Sequence, residues 1–262
     1  MQNSQIIRAN HLIKTYGKGH GTVHALRDVS VEFTMGQLTA IMGPSGSGKS
    51  TLMHMLAGLD QLTSGEVYFK NQAIHQLNDK QLTLLRRREI GFIFQSFNLL
   101  PMFTAKQNIV LPLTLGKNKL DQRWFDQLVS ILGLGDRLDH HPSELSGGQQ
   151  QRVAIARALI TKPQVVFADE PTGNLDSASG REVLQLLRQL VNELGQTVVM
   201  VTHDSNVASY ADRALILADG RIVNDIQNPR SEQLAELILQ YQQGGVSQID
   251  LSGYHQEVPY EI

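Results

Sequence analysis

Gly43, Gly48, Lys49 and Ser50 occupy the fixed places of G-x-x-x-x-G-K-[ST] within the stretch GPSGSGKST, Gly43 to Thr51. Each residue type has a physical reason to be there. Gly43, Gly46 and Gly48 let the backbone bend and approach a ligand closely. Successive N–H groups then point inward and form a nest for an anion. The positive end of a following helix adds to the attraction. Lys49 is expected to reach β- and γ-phosphates, and the Ser50 hydroxyl to hold Mg2+. Pro44, Ser45, Ser47 and Thr51 complete the expected lining of the loop. A Gly/Ser-rich surface turn before an amphipathic helix would have a similar composition, so context decides. An apolar run, Leu38 to Met42, leads in as a strand, and Thr51 to Gly58 leads out as a helix.

A second candidate is VVFADE, Val165 to Glu170. Its continuous apolar run predicts a strand buried on both faces. The run delivers two carboxylates at its C-terminal end, where parallel sheets keep their ligand sites. Asp169 is placed to hold Mg2+, directly or through water, and Glu170 to act as general base toward an attacking water. Solvated acids capping a strand end are the plain alternative.

These groups need a scaffold, and the rest of the chain supplies candidates for it. Strands are predicted at Ile6 to Lys14, Val29 to Phe33, Leu38 to Met42 and Gly65 to Lys70, with the first, second and fourth forming an antiparallel part. Tyr16 is expected in the Gly- and His-rich loop after the first strand. Asn78 to Arg88 reads as a helix, on which Arg86, Arg87 and Arg88 form a solvated face and not a phosphate site. IGFIFQ, Ile90 to Gln95, is a further strand. From Ser96 to about Pro142 the chain changes to helical spacing, with Trp124, Phe125, Leu128, Ile131 and Leu132 on one face. Trp124 is expected to pack a core. A helix over Gln150 to Ile160 follows and stops at Pro163. Ser177 to Leu194 is a long amphipathic helix ended by Gly195. TVVMVT, Thr197 to Thr202, is another buried strand, closed by His203. Asp212 to Leu217 and Arg221 to Asp225 form a hairpin around Asp219-Gly220, and Ser231 to Gln242 a last helix. The Gly-, Ser- and Gln-rich tail, 244–262, is expected to be mobile.

Composition bounds the function classes. The chain has 262 residues, no cysteine and a net charge of -2. Disulfides, thiolate zinc sites and cysteine nucleophiles are excluded, and no overall basic field argues for nucleic acid. No apolar run approaches the roughly 20 residues that cross a bilayer. The first residues lack the pattern of a signal peptide. A cytoplasmic protein that meets a membrane through a partner is the expectation.

The third motif is LSGGQ, Leu145 to Gln149, continued as QQRVAIARAL. Phosphate loop, glutamine strand, LSGGQ and acidic strand, in that order, closely resemble the ATP-binding subunits of ABC transporters from about Ile6 to Gln242. The resemblance implies an α/β fold: a P-loop NTPase core with a mostly parallel sheet, an antiparallel β subdomain and a helical subdomain inserted at about 96–150, all within a 1–243 ATPase domain. It implies ATP as substrate with Mg2+. It assigns Tyr16 to stacking on adenine, Gln95 to Mg2+ and the attacking water, and His203 to the γ-phosphate and the orientation of Glu170. Ser146, Gly147, Gly148 and Gln149 would meet the γ-phosphate held by a second copy, and Asn174, Leu175 and Asp176 would cross between copies. The implied partners are that second copy and an integral membrane permease, which would hold the chain at the inner face of the cell membrane. Phe97, Leu99, Leu100, Met102 and Phe103, within Ser96 to Val110, could dock the permease or pack a core. GFIFQSFNLLP, ADEPTGNLDS and MVTHD further resemble the ATPases of lipoprotein-release, macrolide-export and antimicrobial-peptide-resistance systems. A related cell-division or signalling ATPase, working on a membrane protein without transport, is the alternative. An ATPase acting on ribosomes or DNA would usually carry two cassettes or a coiled-coil insertion, and a module without turnover would not need Glu170 and His203.

Overall fold

The computed structural model describes residues 5–17 and 19–244. In chain order the strands and helices are β1 (Gln5–Tyr16), β2 (Val23–Thr34), β3 (Leu38–Met42), α1 (Lys49–Leu56), β4 (Ser64–Phe69), β5 (Gln72–Ala73), α2 (Asp79–Glu89), β6 (Ile90–Phe94), α3 (Ala105–Gly116), α4 (Gln122–Ile131), α5 (Gly147–Leu159), β7 (Val165–Asp169), α6 (Ser177–Leu194), β8 (Thr197–Thr202), α7 (Ser205–Ala208), β9 (Arg213–Ala218), β10 (Arg221–Gln227) and α8 (Ser231–Gly244). Two sheets result. One is antiparallel, in the order β2-β1-β4-β5. The other has six strands in the order β10-β9-β3-β8-β7-β6, parallel except for the β9–β10 hairpin.

Every residue of β3 and β8 is buried, as are the first four of β7. This is what continuous apolar runs produce when helices cover both faces of a parallel sheet. Alternate residues serve two cores. Leu38, Ala40, Met42, Val166, Ala168, Val198 and Met200 face one that includes residues of α3, α4, α5 and α6. Ile41, Phe167, Val199 and Val201 face another, shared with α1 and the buried face of the antiparallel sheet.

Several boundaries differ from expectation. Tyr16 is the last residue of β1 and not part of the following loop, because β2 extends back to Val23 and pairs with it. Helix α1 starts at Lys49, inside the glycine motif, and α5 starts at Gly147, inside LSGGQ. The four-residue α7 is too short to show a periodicity. The region from Ser96 to Pro142 is helical as expected, through α3 and α4. Helix α8 continues two residues past Gln242, and the tail expected to be mobile lies, apart from Gly244, outside the described residues. Among the described residues, no helix is long and apolar enough to cross a membrane.

Phe167 is fully buried at the middle of β7 and stacks on Phe92 at 5.9 Å between centroids. Phe167→Ala is expected to cost about 3–5 kcal/mol. In a chain of this size that lowers Tm by roughly 10 °C, which a thermal melt followed by circular dichroism would read.

Candidate functional site

Strand β3 delivers the glycine loop, and the three glycines have different jobs. Gly43 (φ 154°) and Gly48 (φ 102°) lie against the protein's own backbone: a Cβ would sit 2.0 Å from the Leu217 carbonyl oxygen at the first and 2.3 Å from that of Ala25 at the second. At Gly46 (φ 79°) the same Cβ would meet nothing within 4 Å, so this glycine faces open space. The N-terminus of α1 has no side-chain cap. By contrast α2, α3, α4, α5, α6 and α7 are capped by Asn78, Thr104, Asp121, Ser146, Asp176 and Asp204. The first N–H groups of any helix lack intrahelical acceptors, so α1 alone of these seven presents them bare.

Two further observations fit an anion at that place. The Ser47 hydroxyl is buried without a hydrogen-bond partner. Lys49 is only 9% exposed, and its Nζ donates to the carbonyl oxygens of Gly43 (2.9 Å) and Pro44 (2.7 Å). Loss of water lowers the Lys49 pKa, and the carboxylates of Glu170 and Asp169 oppose the shift. An ammonium held by two neutral carbonyls is poised to exchange them for anionic oxygen.

Across the sheet the strand ends lie level. Met42 pairs with Thr202, Val201 with Asp169 and Asp169 with Phe94. The residues just beyond these ends are therefore neighbours. Asp169 lies near enough to Ser50 for the Ser50 side chain to favour its ionised form. Burial is the main cause that raises its pKa, with Glu170 adding to it, while His54, Ser50 and Lys49 pull it back. His54 was not singled out by sequence reasoning. It lies one helical turn beyond Ser50 on α1, so both face Asp169, and that spacing was the available signal.

Glu170 has φ 46°, a left-handed conformation that costs a non-glycine residue roughly 1–3 kcal/mol and concentrates at functional sites. Its N–H donates to Val201 O at 2.9 Å. His203 Nδ1 lies 2.8 Å from Glu170 Oε1, placed to donate an N–H to it. The carboxylate side chain is 20% exposed and the imidazole 72%. Gln95 Nε2 donates to Asn174 Oδ1 at 3.1 Å, and a Cβ on Gly173 would come within 2.6 Å of that nitrogen. Among the described residues no three His, Asp or Glu side chains are grouped so that they could hold a metal ion by themselves. A cation here would rest on Ser50, Asp169 and the oxygens of a bound phosphate, the pattern that suits Mg2+.

Tyr16 comes to the same end of the molecule. Its hydroxyl donates to Asp60 Oδ2 at 2.8 Å, and burial and Asp60 raise its pKa while Thr51, at the end of the glycine motif, opposes the shift. Lys14 Nζ sits 4.5 Å above one ring face and pairs with Asp60 at 2.9 Å. Lys14 and Asp60 carried no sequence signal, because 46 positions separate them and only pairing of β1 with the rest of its sheet joins them.

The LSGGQ residues behave differently. Ser146 caps α5: its side chain accepts from Gln149 N–H at 3.3 Å, and the Gln149 side chain accepts from Ser146 N–H at 2.9 Å. Among the described residues no hydrogen bond links Ser146–Gln149 to 43–51. Asp176 likewise caps α6, accepting from the N–H groups of Ala178 and Ser179, and its contacts with Ser179 lower its pKa. Sequence reasoning also passed over Gln151 and Arg157 on α5. Gln151 is fully buried and donates to Pro171 O, next to Glu170, at 2.6 Å. Of the five apolar residues after Gln95, Met102 (71% exposed) and Leu100 are exposed. Phe97, Leu99 and Phe103 are half-buried, and Leu99 packs on the core.

The sequence profile of the family described as "ABC transporter" matches residues 26–173. Over 223 residues the chain is 47% identical to an uncharacterized ABC transporter ATP-binding protein of Methanocaldococcus jannaschii, covering 84% of this chain and 99% of that one. It is 48% identical over 221 residues to the macrolide export ATP-binding/permease protein MacB of Syntrophobacter fumaroxidans, covering 83% of this chain and 31% of that longer one. Its structure is similar (TM-score 0.76, 42% identity, 85% of this chain and 98% of the other) to the dimeric post-hydrolysis state of an ATP-binding cassette bound to ADP and Pi. A component of an ABC transporter complex of Clostridium perfringens has a TM-score of 0.79 at 30% identity, over 92% of this chain and 94% of that one.

The raised pKa of Asp169 has a measurable consequence. A carboxyl whose folded pKa lies above its ordinary value of 3.8 contributes stability that is present below that value and lost as pH rises through the folded pKa. Above its folded pKa, Asp169 therefore costs stability in the absence of a cation. Asp169→Asn is expected to raise the Tm of the nucleotide-free protein at neutral pH, with the gain shrinking toward about pH 4. Melts of both proteins across that range check it.

Proposed function

The chain belongs to the ABC transporter family, and from that premise we propose that it is the ATP-hydrolysing subunit of an export or mechanotransmission system. The observation that carries the reading is the uncapped start of α1, set level with Asp169, Glu170, His203 and Gln95 at the ends of neighbouring strands. We take residues up to about 243 as one ATPase unit with its helical insert at about 96–150.

In this reading Tyr16 stacks on adenine with the ring face that Lys14 leaves free. The N–H groups of Gly46 and of Gly48 to Thr51 cradle the phosphates, Gly43, Pro44, Ser45 and Ser47 complete the loop, and Lys49 leaves its two carbonyls for the β- and γ-oxygens. Ser50, Asp169 and Gln95 would hold Mg2+. When bound, this ion neutralises charge that develops on the β- and γ-phosphate oxygens. Glu170 takes a proton from water as the water oxygen attacks the γ-phosphorus in line, the bond to the β-phosphate oxygen breaks, and ADP leaves. His203 holds Glu170 in position and donates toward the γ-phosphate.

The site is incomplete in one chain, because Ser146 to Gln149 are occupied only with capping their own helix. We place them against the γ-phosphate of a second, head-to-tail copy, with Asp176 crossing the interface. ATP then joins the copies, and hydrolysis removes the bridging group and lets them part. The macrolide export relative, whose name pairs an ATP-binding part with a permease, supports a permease as the membrane partner. That partner would hold this chain at the inner face of the cell membrane. Leu100 and Met102 are exposed, and Asn98 of the same loop lines a groove of about 420 Å³ with Leu59, Phe92, Phe94, Pro112 and Arg157; Ser96 to Val110 is the proposed docking region.

Removing the general base tests both parts of the proposal. Glu170→Gln is expected to lower turnover by about 10²- to 10⁴-fold and to trap an ATP-bound dimer. Light scattering should show a monomer without nucleotide and twice that mass with Mg-ATP. Unchanged turnover would remove Glu170 from its role, and a monomer under both conditions would remove the self-dimer.

A further inference from the structure

The loop that joins β6 to α3 contains an unusual pair. Phe97 (φ 58°) and Asn98 (φ 52°) are consecutive and both left-handed, without a glycine. Asparagine tolerates this region, but a bulky aromatic residue is an outlier there. Both carbonyls of the pair are held by one side chain. Arg157, on α5, donates from Nη1 to Asn98 O at 2.5 Å and from Nη2 to Phe97 O at 2.7 Å. The guanidinium fork thus spans two successive peptide groups, which one ammonium could not do in fixed geometry. Arg157 is half-buried, loss of water lowers its pKa, and among the described residues no carboxylate lies within ion-pair distance of it. Its charge is therefore answered by this loop.

The far end of the loop is fixed independently. Fully buried Asn108 of α3 accepts from Leu100 N–H at 2.8 Å and donates to Leu100 O and Phe103 O at 3.1 Å each. On the near side, Gln95 is two residues before Phe97. We propose that Arg157 is a positioning residue for Gln95: by holding Phe97 and Asn98 left-handed it aims Gln95 at Asn174 and the carboxylate side of the site. Because Ser146 caps α5 and Gly147 opens it, the helix that presents LSGGQ to the proposed second copy also sets Gln95 in its own site. Displacement of α5 is passed to Gln95 through the guanidinium. The inference rests on the proposed role of Gln95.

The test is a double-mutant cycle on steady-state ATP turnover of the whole chain, with Tm recorded for each variant. Arg157→Lys keeps the charge and loses the fork. It is expected to lower kcat about 10-fold, within the range that a displacement of about 1 Å can cause, with KM for ATP changed less than about twofold. In a Gln95→Ala background the same change should cost less than about twofold more, because coupled residues are non-additive. Asn98→Val leaves Arg157 in place but puts a β-branched residue where a left-handed φ is needed. Its side chain is exposed, so it reads the loop even where Arg157→Lys does not fold, and it should show the same pattern. An equal loss with and without Gln95 overturns the inference, as does full kcat in Asn98→Val. Full kcat in Gln95→Ala overturns instead the role assigned to Gln95, and with it the basis for this inference.

Discussion

Backbone hydrogen bonds between β3, β8, β7 and β6 place Met42 beside Thr202, Val201 beside Asp169, and Asp169 beside Phe94. This register is what the site depends on. Side chains alternate along a strand, so a slip of one residue would turn every group at the strand ends to the opposite face. Asp169 is the last residue of its strand, and the phosphate loop, Glu170, His203 and Gln95 each begin one step past the end of theirs. They share one edge because the strands end together. The buried apolar faces hold the register: residues that alternate between the two cores have no alternative pairing that keeps them dry.

Within that edge the molecule tolerates features that a site without a ligand would not keep. Helix α1 leaves its first N–H groups without a side-chain cap, while six other helices are capped. Ser47 Oγ is buried without a partner. Asp169 stays in a place whose desolvation disfavours its charge, and Glu170 holds a left-handed backbone. Each is a local cost, and each would be relieved or used in the proposed complex with nucleotide and Mg2+. Stability and function are traded at the same atoms.

Helix α5 ties this edge to the helical insert. Gln151 reaches Pro171, the residue after Glu170, and Arg157 grips the loop after Gln95. The first turn of the same helix holds Ser146 and Gln149 in a capping box. One rigid element therefore touches both the loop after Glu170 and the loop after Gln95, while its own first turn makes no hydrogen bond to 43–51 among the described residues. In the proposed dimer such a helix would report on the neighbour's site and adjust its own.

Much was legible without coordinates. Gly43 to Thr51, VVFADE and LSGGQ carry their chemistry in fixed local spacing, and the apolar runs at Leu38, Val165 and Thr197 announced strands buried on both faces. Local rules of that kind need only neighbours in sequence. Helix starts were less exact, since Lys49 and Gly147 enter their helices inside motifs whose glycines mask helical propensity. What the sequence could not state was adjacency between distant segments. That β8, late in the chain, lies between β3 and β7 decides that His203 meets Glu170. Lys14, Asp60, Gln151 and Arg157 act through backbone or side chains many residues away, and no periodicity encodes such a contact. Which of Phe97 to Phe103 are exposed also depended on packing against α3 and α5. The sequence by itself determined which atoms are available for phosphate chemistry. Only the tertiary structure, through strand order and register, decided which of them stand together.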